Sequence, residues 1–185
     1  MAEKMDRRSA SSLDDDGDDE LVVDQYLTFH IGAEDFAIEV SSVVEIVGIQ
    51  HITQVPDMPA FMRGVINLRG RVIPVVDVRR RFNLEDRAYD ARTCIVVVNL
   101  AGVTTGLIVD TVNEVLSIPA DLISPPPSVQ GNRRSRFVRG VGRVADGIKL
   151  LLDLDKFLLE SEQQSIATIQ DALPHDGAPP AEPAC

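Results

Sequence analysis

The stretch MRGVINLRGRVIPVVDVRRRF, Met62 to Phe82, reads as two short β-branched strands broken at Gly64 and Gly70. Its order of parts recurs in VRGVGRVADGIKLLLDLDKF, residues 138–157. A shift of 76 residues places Arg63-Gly64-Val65 on Arg139-Gly140-Val141, each followed by a glycine, an apolar run and an aspartate-containing exit. A second shift, of 69 residues, lays QYLTFHIGAEDFAIEVSSVVEIVGI (25–49) on residues 94–118 without a gap. Phe29 falls on Val98, Ile38 on Leu107, Val40 on Val109, Val43 on Val112, Glu45 on Glu114 and Ile46 on Val115. The parts follow one another in the same order in both halves, so the body is an internal duplication.

Further runs extend the pattern: QYLTFHI, DFAIEV, TCIVVVNL, TGLIVDTV, RGVGRVA and IKLLLDL are short, β-rich and bounded by turn residues. Long helical periodicity is missing. SSVVEIV has the look of a single helical turn, and Ile166, Ile169 and Leu173 fall at helical spacing before Pro174. A hairpin of apolar strands cannot bury both faces alone, so two such units must close on themselves or on each other. The expected fold is all-β: two small five-stranded β-barrel subdomains packed along an apolar seam, with short helical turns and a C-terminal helix. The expected division is an acidic leader (1–23), a body (24–160) split into about 24–86 and 87–160 at DRAYDAR, and a helix or Pro-rich tail (161–185).

The formal charge of −11 belongs mostly to the ends. Residues 1–20 carry eight acids and three bases, residues 161–185 carry four acids and no base, and the body is left at −2. Phosphate binding needs a basic face, and the groups Arg79-Arg80-Arg81 and Arg133, Arg134, Arg136 read as solvated loop or edge residues. No signal peptide and no apolar run of about 18 residues is present. The two cysteines are far apart, Cys94 in an apolar run and Cys185 in the tail, so a reducing, cytoplasmic setting without a disulfide is expected.

Reactive groups do not converge. His30, His51 and His175 lack metal-site spacing, and there is no Cys-x-x-Cys, no Gly-x-Ser-x-Gly and no phosphate-cradling glycine loop. Cys94 reads as a buried structural thiol, and Asp77 and Asp153, which end corresponding strands, read as caps or turn formers. No enzyme, metal or cofactor is expected. Arg69 is the outlier, a guanidinium in the most apolar part of the chain. It reads equally as an ion-pair anchor for a local acid or as a bidentate contact for another protein. Glu45 reads as solvated or as a contact, and Val40 and Val43 beside it suit a groove for an amphipathic helix. The second copy has no clear arginine equivalent to Arg69, although Arg143 lies close by, which fits a partner-specific role.

FAIEVSSVVEIVG, PAFMRGVINLRGRVIPVVDVRRRF, GLIVDTVNEVLSIP and VRGVGRVADGIKLLLDLDKFL, in that order, resemble the CheW domain of bacterial chemotaxis systems over about Gln25 to Leu159. The resemblance implies a two-barrel, non-enzymatic adaptor that couples methyl-accepting chemoreceptors to a CheA-type histidine kinase at a cytoplasmic receptor array. A coupler of a non-flagellar pathway, for surface motility or development, is the alternative. In the family the receptor's helical hairpin tip lies in the groove between the barrels, and the kinase regulatory domain docks on one barrel end. By motif, Val43 and Glu45 fall near the receptor or kinase contact, and Arg69 matches the arginine of an Asn-Leu-Arg-Gly signalling motif. Gly64 matches a glycine at which added bulk matters.

Overall fold

The computed structural model describes residues 24–126, 134–158 and 160–172. Strands β1 (Gln25–Ile31) and β2 (Glu34–Glu39) form a hairpin, and a 3-10 turn at Val40–Ser42 leads into β3 (Val43–Gly48). Strands β4 (Met62–Leu68) and β5 (Arg71–Asp77) form a second hairpin, followed by the single-turn helix α1 (Val78–Arg81). The other half supplies β6 (Cys94–Leu100), β7 (Val103–Val109), β8 (Thr111–Ser117), the two-residue β9 (Ile123–Ser124), β10 (Val138–Val144) and β11 (Gly147–Leu152). Helices α2 (Leu154–Phe157) and α3 (Glu160–Ala172) follow.

The duplication holds element by element. The 69-residue shift carries β1 onto β6, and the 76-residue shift carries β4 onto β10 and α1 onto α2. Both short helices are capped alike. The Asp77 carboxylate accepts from the Arg79 amide at 2.9 Å and the Asp153 carboxylate from the Lys156 amide at 3.3 Å, which satisfies N–H groups that a first turn leaves unpaired. The corresponding strands β4 and β10 each carry a bulge, at Met62/Gly64 and at Val138/Gly140.

In space the copies are interleaved. One sheet runs β8-β1-β2-β11-β10-β9 and the other β3-β6-β7-β5-β4. Strand β3 crosses over to pair antiparallel with β6, and β8 crosses back to pair with β1. Each exchanged strand covers an edge that the other copy's hairpin would leave open. The expected division into 24–86 and 87–160 therefore separates sequence copies, while each sheet draws strands from both. The sheets have six and five strands rather than five each, because β9 pairs with β10 while its counterpart in the other sheet is a lone bridge between Thr53 and Val65.

Two local expectations change. SSVVEIV is a short 3-10 turn followed by strand, because residues 43–48 alternate half-buried and exposed with a period of two. TGLIVDTV is two strands meeting at Asp110, whose carboxylate takes the Arg79 guanidinium and the Gly32 amide. The C-terminal helix is present as α3 with Ile166 buried; Leu173 and Pro174, like the leader, Arg133, His175 and Cys185, lie outside the described residues.

The main core bridges both sheets. Phe29 and Phe36 of the first sheet stack toward Phe82, which follows α1, and Phe82 meets Phe137 and Phe157 at ring-centre distances of 5.8 and 6.0 Å. A separate cluster of Ile66, Ile73, Val75, Ile95, Val97 and Ile108 fills the five-stranded sheet. Among the described residues no helix is long and apolar enough to cross a membrane.

Candidate functional site

The site begins at the β4–β5 turn. Leu68 pairs with Arg71, so Arg69 and Gly70 form a two-residue loop with φ of 53° and 82°. Two consecutive positive φ angles match the twist of a tight hairpin, and the Asn67 side chain accepts from the Gly70 amide at 2.9 Å. The β6–β7 turn repeats the device, with positive φ at Ala101 and Gly102 and the Asn99 side chain on the Gly102 amide. The shared pattern Asn-Leu-x-Gly in 67–70 and 99–102 is the sequence signal that places Arg69 at a turn tip. Its side chain is consequently 77% exposed, and its apolar neighbours in sequence do not bury it.

At that tip Arg69 faces Glu45 on β3, with Nη1 donating to Oε1 at 3.1 Å and Nη2 to Oε2 at 3.0 Å. The fork pins a flexible arginine in one orientation at the surface. Of the five residues singled out by sequence, these two are brought together. Val40 and Val43 are half-buried and pack on the main core, so they support β3 from beneath. The apolar side chains that β3 turns outward are Val44, 56% exposed, and Ile46, 43% exposed. They sit one register step from the residues chosen by sequence. Strand β3 ends its sheet in the strand order.

Gly64 is buried within this hairpin. Its φ is 141°, and a Cβ there would collide with the Thr53 carbonyl, lying 2.8 Å from the carbonyl carbon. Thr53 and Val65 exchange backbone hydrogen bonds of 2.8 Å at that point. The glycine is required by close backbone approach, and bulk at this position acts through the hairpin.

The arginines expected to be solvated on α1 are all engaged. Arg79 donates to both Asp110 oxygens at 2.7 and 2.5 Å, Arg80 to Asp86 at 3.1 and 2.8 Å, and Arg81 to Glu162 at 3.1 and 2.9 Å. Burial by itself pushes the Asp110 carboxyl up. Hydrogen bonds from Arg79 and the Gly32 amide, with the charges of Arg79 and Arg87, outweigh it and hold Asp110 below the usual carboxylate range. Arg80 takes a carboxylate only six positions away, whereas the partners of Arg79 and Arg81 lie 31 and 81 positions away and are supplied only by the tertiary fold. Cys94 is half-buried rather than buried, its thiol donating to the Arg92 carbonyl at 3.3 Å. Among the described residues no three His, Cys, Asp or Glu side chains are grouped to hold a metal ion.

The surface therefore offers an exposed arginine oriented by the half-buried Glu45, with exposed Val44 and Ile46 on the same terminal strand, an arrangement suited to protein contact. The family model for the CheW-like domain matches residues 25–162. The chain is similar to the chemotaxis protein CheW of Klebsiella aerogenes, 33% identical over 147 residues that cover 80% of this chain and 88% of the relative. Protein FrzA of Myxococcus xanthus is 27% identical over 145 residues, covering 77% and 90%. Among solved structures, the scaffolding protein TtCheW of Thermoanaerobacter tengcongensis superposes with a TM-score of 0.69 at 32% identity, covering 75% of this chain and 94% of that one. By the family model, these identities and the shared two-sheet fold, the chain belongs to the CheW-like family.

Proposed function

We propose that this protein is a non-enzymatic chemotaxis scaffold that couples methyl-accepting chemoreceptors to a CheA-type histidine kinase within a cytoplasmic signalling array. The observation that carries the contact surface is the Glu45–Arg69 fork beside exposed Val44 and Ile46 on β3. A bidentate guanidinium already oriented at the surface loses little further freedom when a partner arrives. Val40 and Val43 hold β3 in place, and Gly64 holds the hairpin that presents Arg69. The similarity to FrzA fits a second reading, a coupler of a non-flagellar, chemosensory-like pathway; it uses the same surface with a different kinase and receptor.

The test separates contact from fold. Arg69→Ala should cost less than about 1 kcal/mol of stability, because exposed ion pairs contribute little. It should reduce binding to the kinase regulatory domain or to a receptor-tip fragment about tenfold or more by calorimetry, as expected for an arginine at an interface. A chain that binds neither fragment would overturn the adaptor reading. An Arg69→Ala protein that binds both unchanged would remove this surface from it.

A further inference from the structure

The arginines of α1 and those beside Phe137 are far apart in sequence, and the fold brings them to one cleft. Arg136 belongs to the 3-10 turn Ser135–Phe137. Its guanidinium lies over the Phe137 ring at 4.6 Å from the ring centre, and that of Arg81 lies over the same ring at 4.9 Å, so at most the sum of those distances separates the two. Together with Arg80, Asn83 and the Phe61 ring they line a cavity of about 190 Å³. Among the described residues that line it there is no carboxylate.

Arg80 and Arg81 each have a carboxylate, but Asp86 and Glu162 hold them without joining the lining. Arg81 is fixed further by its Nε, which donates to the Phe157 carbonyl at 2.8 Å, and by the Phe61 ring at 4.3 Å. Arg136 is exposed, and among the described residues it has the Phe137 ring as its contact and no carboxylate. A cation–π contact uses none of the five N–H donors of a guanidinium, so this fork is oriented and still open. A cleft lined by one sign of charge concentrates counter-ions. A carboxylate offers one planar edge and is met by one fork, as at Asp86 and Glu162. A phosphate offers three strong acceptor oxygens, which guanidiniums can meet from several sides at once. The volume suits such a group and falls short of the roughly 300–1,000 Å³ that larger ligands occupy.

We propose that the cleft between α1 and the Ser135–Phe137 turn is a phosphate-binding site. Arg136 supplies the open fork, and Arg80 and Arg81 supply fixed positive charge. The site takes a phosphate group with little else attached, either inorganic phosphate or the phosphate of a small monoester such as phosphoserine. Arg136 controls affinity, because a ligand meets it without displacing an internal carboxylate. The cleft shares no residue with the Glu45–Arg69 surface and does not depend on the adaptor reading.

Calorimetry and amide NMR spectra of the full chain test it, with inorganic phosphate, phosphoserine and acetate as probes at constant ionic strength in chloride buffer. Phosphate or phosphoserine should shift the amides of residues 80–83 and 135–137 in a saturable way, and acetate should not. At a concentration about a hundred times its Kd, the ligand should raise the melting midpoint by about 5–10 °C. Arg136→Gln should weaken binding about tenfold or more, the scale of a lost charged hydrogen bond. Arg136→Lys, which keeps the charge without the fork, should recover part of that loss. Arg80→Gln, a second variant in the lining, should also weaken binding. Arg92→Gln makes the same charge change at an exposed arginine outside the lining and should leave affinity unchanged. Tighter binding of phosphoserine than of inorganic phosphate assigns the site to a phosphorylated group, and equal or weaker binding assigns it to the free anion. The proposal is overturned by no saturable shift with either phosphate probe, by acetate binding as tightly, or by Arg92→Gln weakening affinity as much as Arg136→Gln. Unchanged affinity in both Arg136→Gln and Arg80→Gln overturns it as well.

Discussion

Arg69 and Gly64 sit five residues apart and do opposite work. Arg69 occupies a turn tip with its side chain in solvent, while Gly64 is buried with a backbone that tolerates no Cβ against Thr53. Gly64→Ala should therefore destabilise the fold by about 3 kcal/mol through strain and forced displacement of the segment bridged at Thr53, read by denaturant unfolding; a loss below about 0.5 kcal/mol would show that the hairpin can relax around the methyl group. Tyr89 is a third residue with a local role. Its hydroxyl donates to Asp77 at 2.9 Å and accepts from Arg63 at 2.6 Å, linking the segment between the copies to the α1 cap. Burial, then the charge and hydrogen bond of Asp77, push the Tyr89 phenol up to about 12. The folded state thus holds this proton more tightly than the unfolded chain, whose tyrosine titrates near about 10. The stabilisation is complete below that pH and is lost as pH rises through about 12. Denaturation midpoints between pH 9 and 12 should fall more steeply for wild type than for Tyr89→Phe, and parallel curves would contradict this.

At the scale of elements, the point to watch is the passage from β7 to β8, where the chain crosses from one sheet to the other. Asp110 stands there, joined to Arg79 of α1 and to the Gly32 amide in the β1–β2 turn at 2.8 Å. One carboxylate thus ties together a helix and a hairpin on opposite sheets. Because its folded pKa lies below the unfolded value, its stabilisation is present above about pH 4 and is lost as pH falls through the folded value. Asp110→Asn should cost about 3 kcal/mol, the scale for breaking a buried pair and leaving the arginine behind, and should flatten the stability profile below pH 4. An unchanged acid limb in the variant would assign acid sensitivity to other carboxylates.

The whole molecule is held by a core that ignores the sequence division. Phe82 touches Phe36 of one sheet and Phe137 and Phe157 beside the other elements, with ring centres 5.2 to 6.0 Å apart. Strands β3 and β8 are exchanged between the sheets, so neither sheet is complete without the other copy. Unfolding should be a single cooperative transition. Phe82→Ala should lower stability by about 3–5 kcal/mol and shift both sheets together, as followed by hydrogen exchange at β1 and β6. Separate transitions for the two strands would mean that each sheet folds independently.

The sequence alone determined the local and periodic features. The 69- and 76-residue repeats, the strand runs, the paired caps Asp77 and Asp153 and the glycine breaks are written in neighbouring residues and in two-residue alternation, and so is the block that marks the family. The tertiary structure decided what depends on residues distant in sequence. It set which copy each strand pairs with, gave every arginine of α1 a carboxylate 6 to 81 positions away, and turned Val44 and Ile46 rather than Val43 outward. The physical reason is that strand pairing and ion pairing satisfy backbone and charge across the fold, and a linear pattern specifies that a partner is needed without specifying which one.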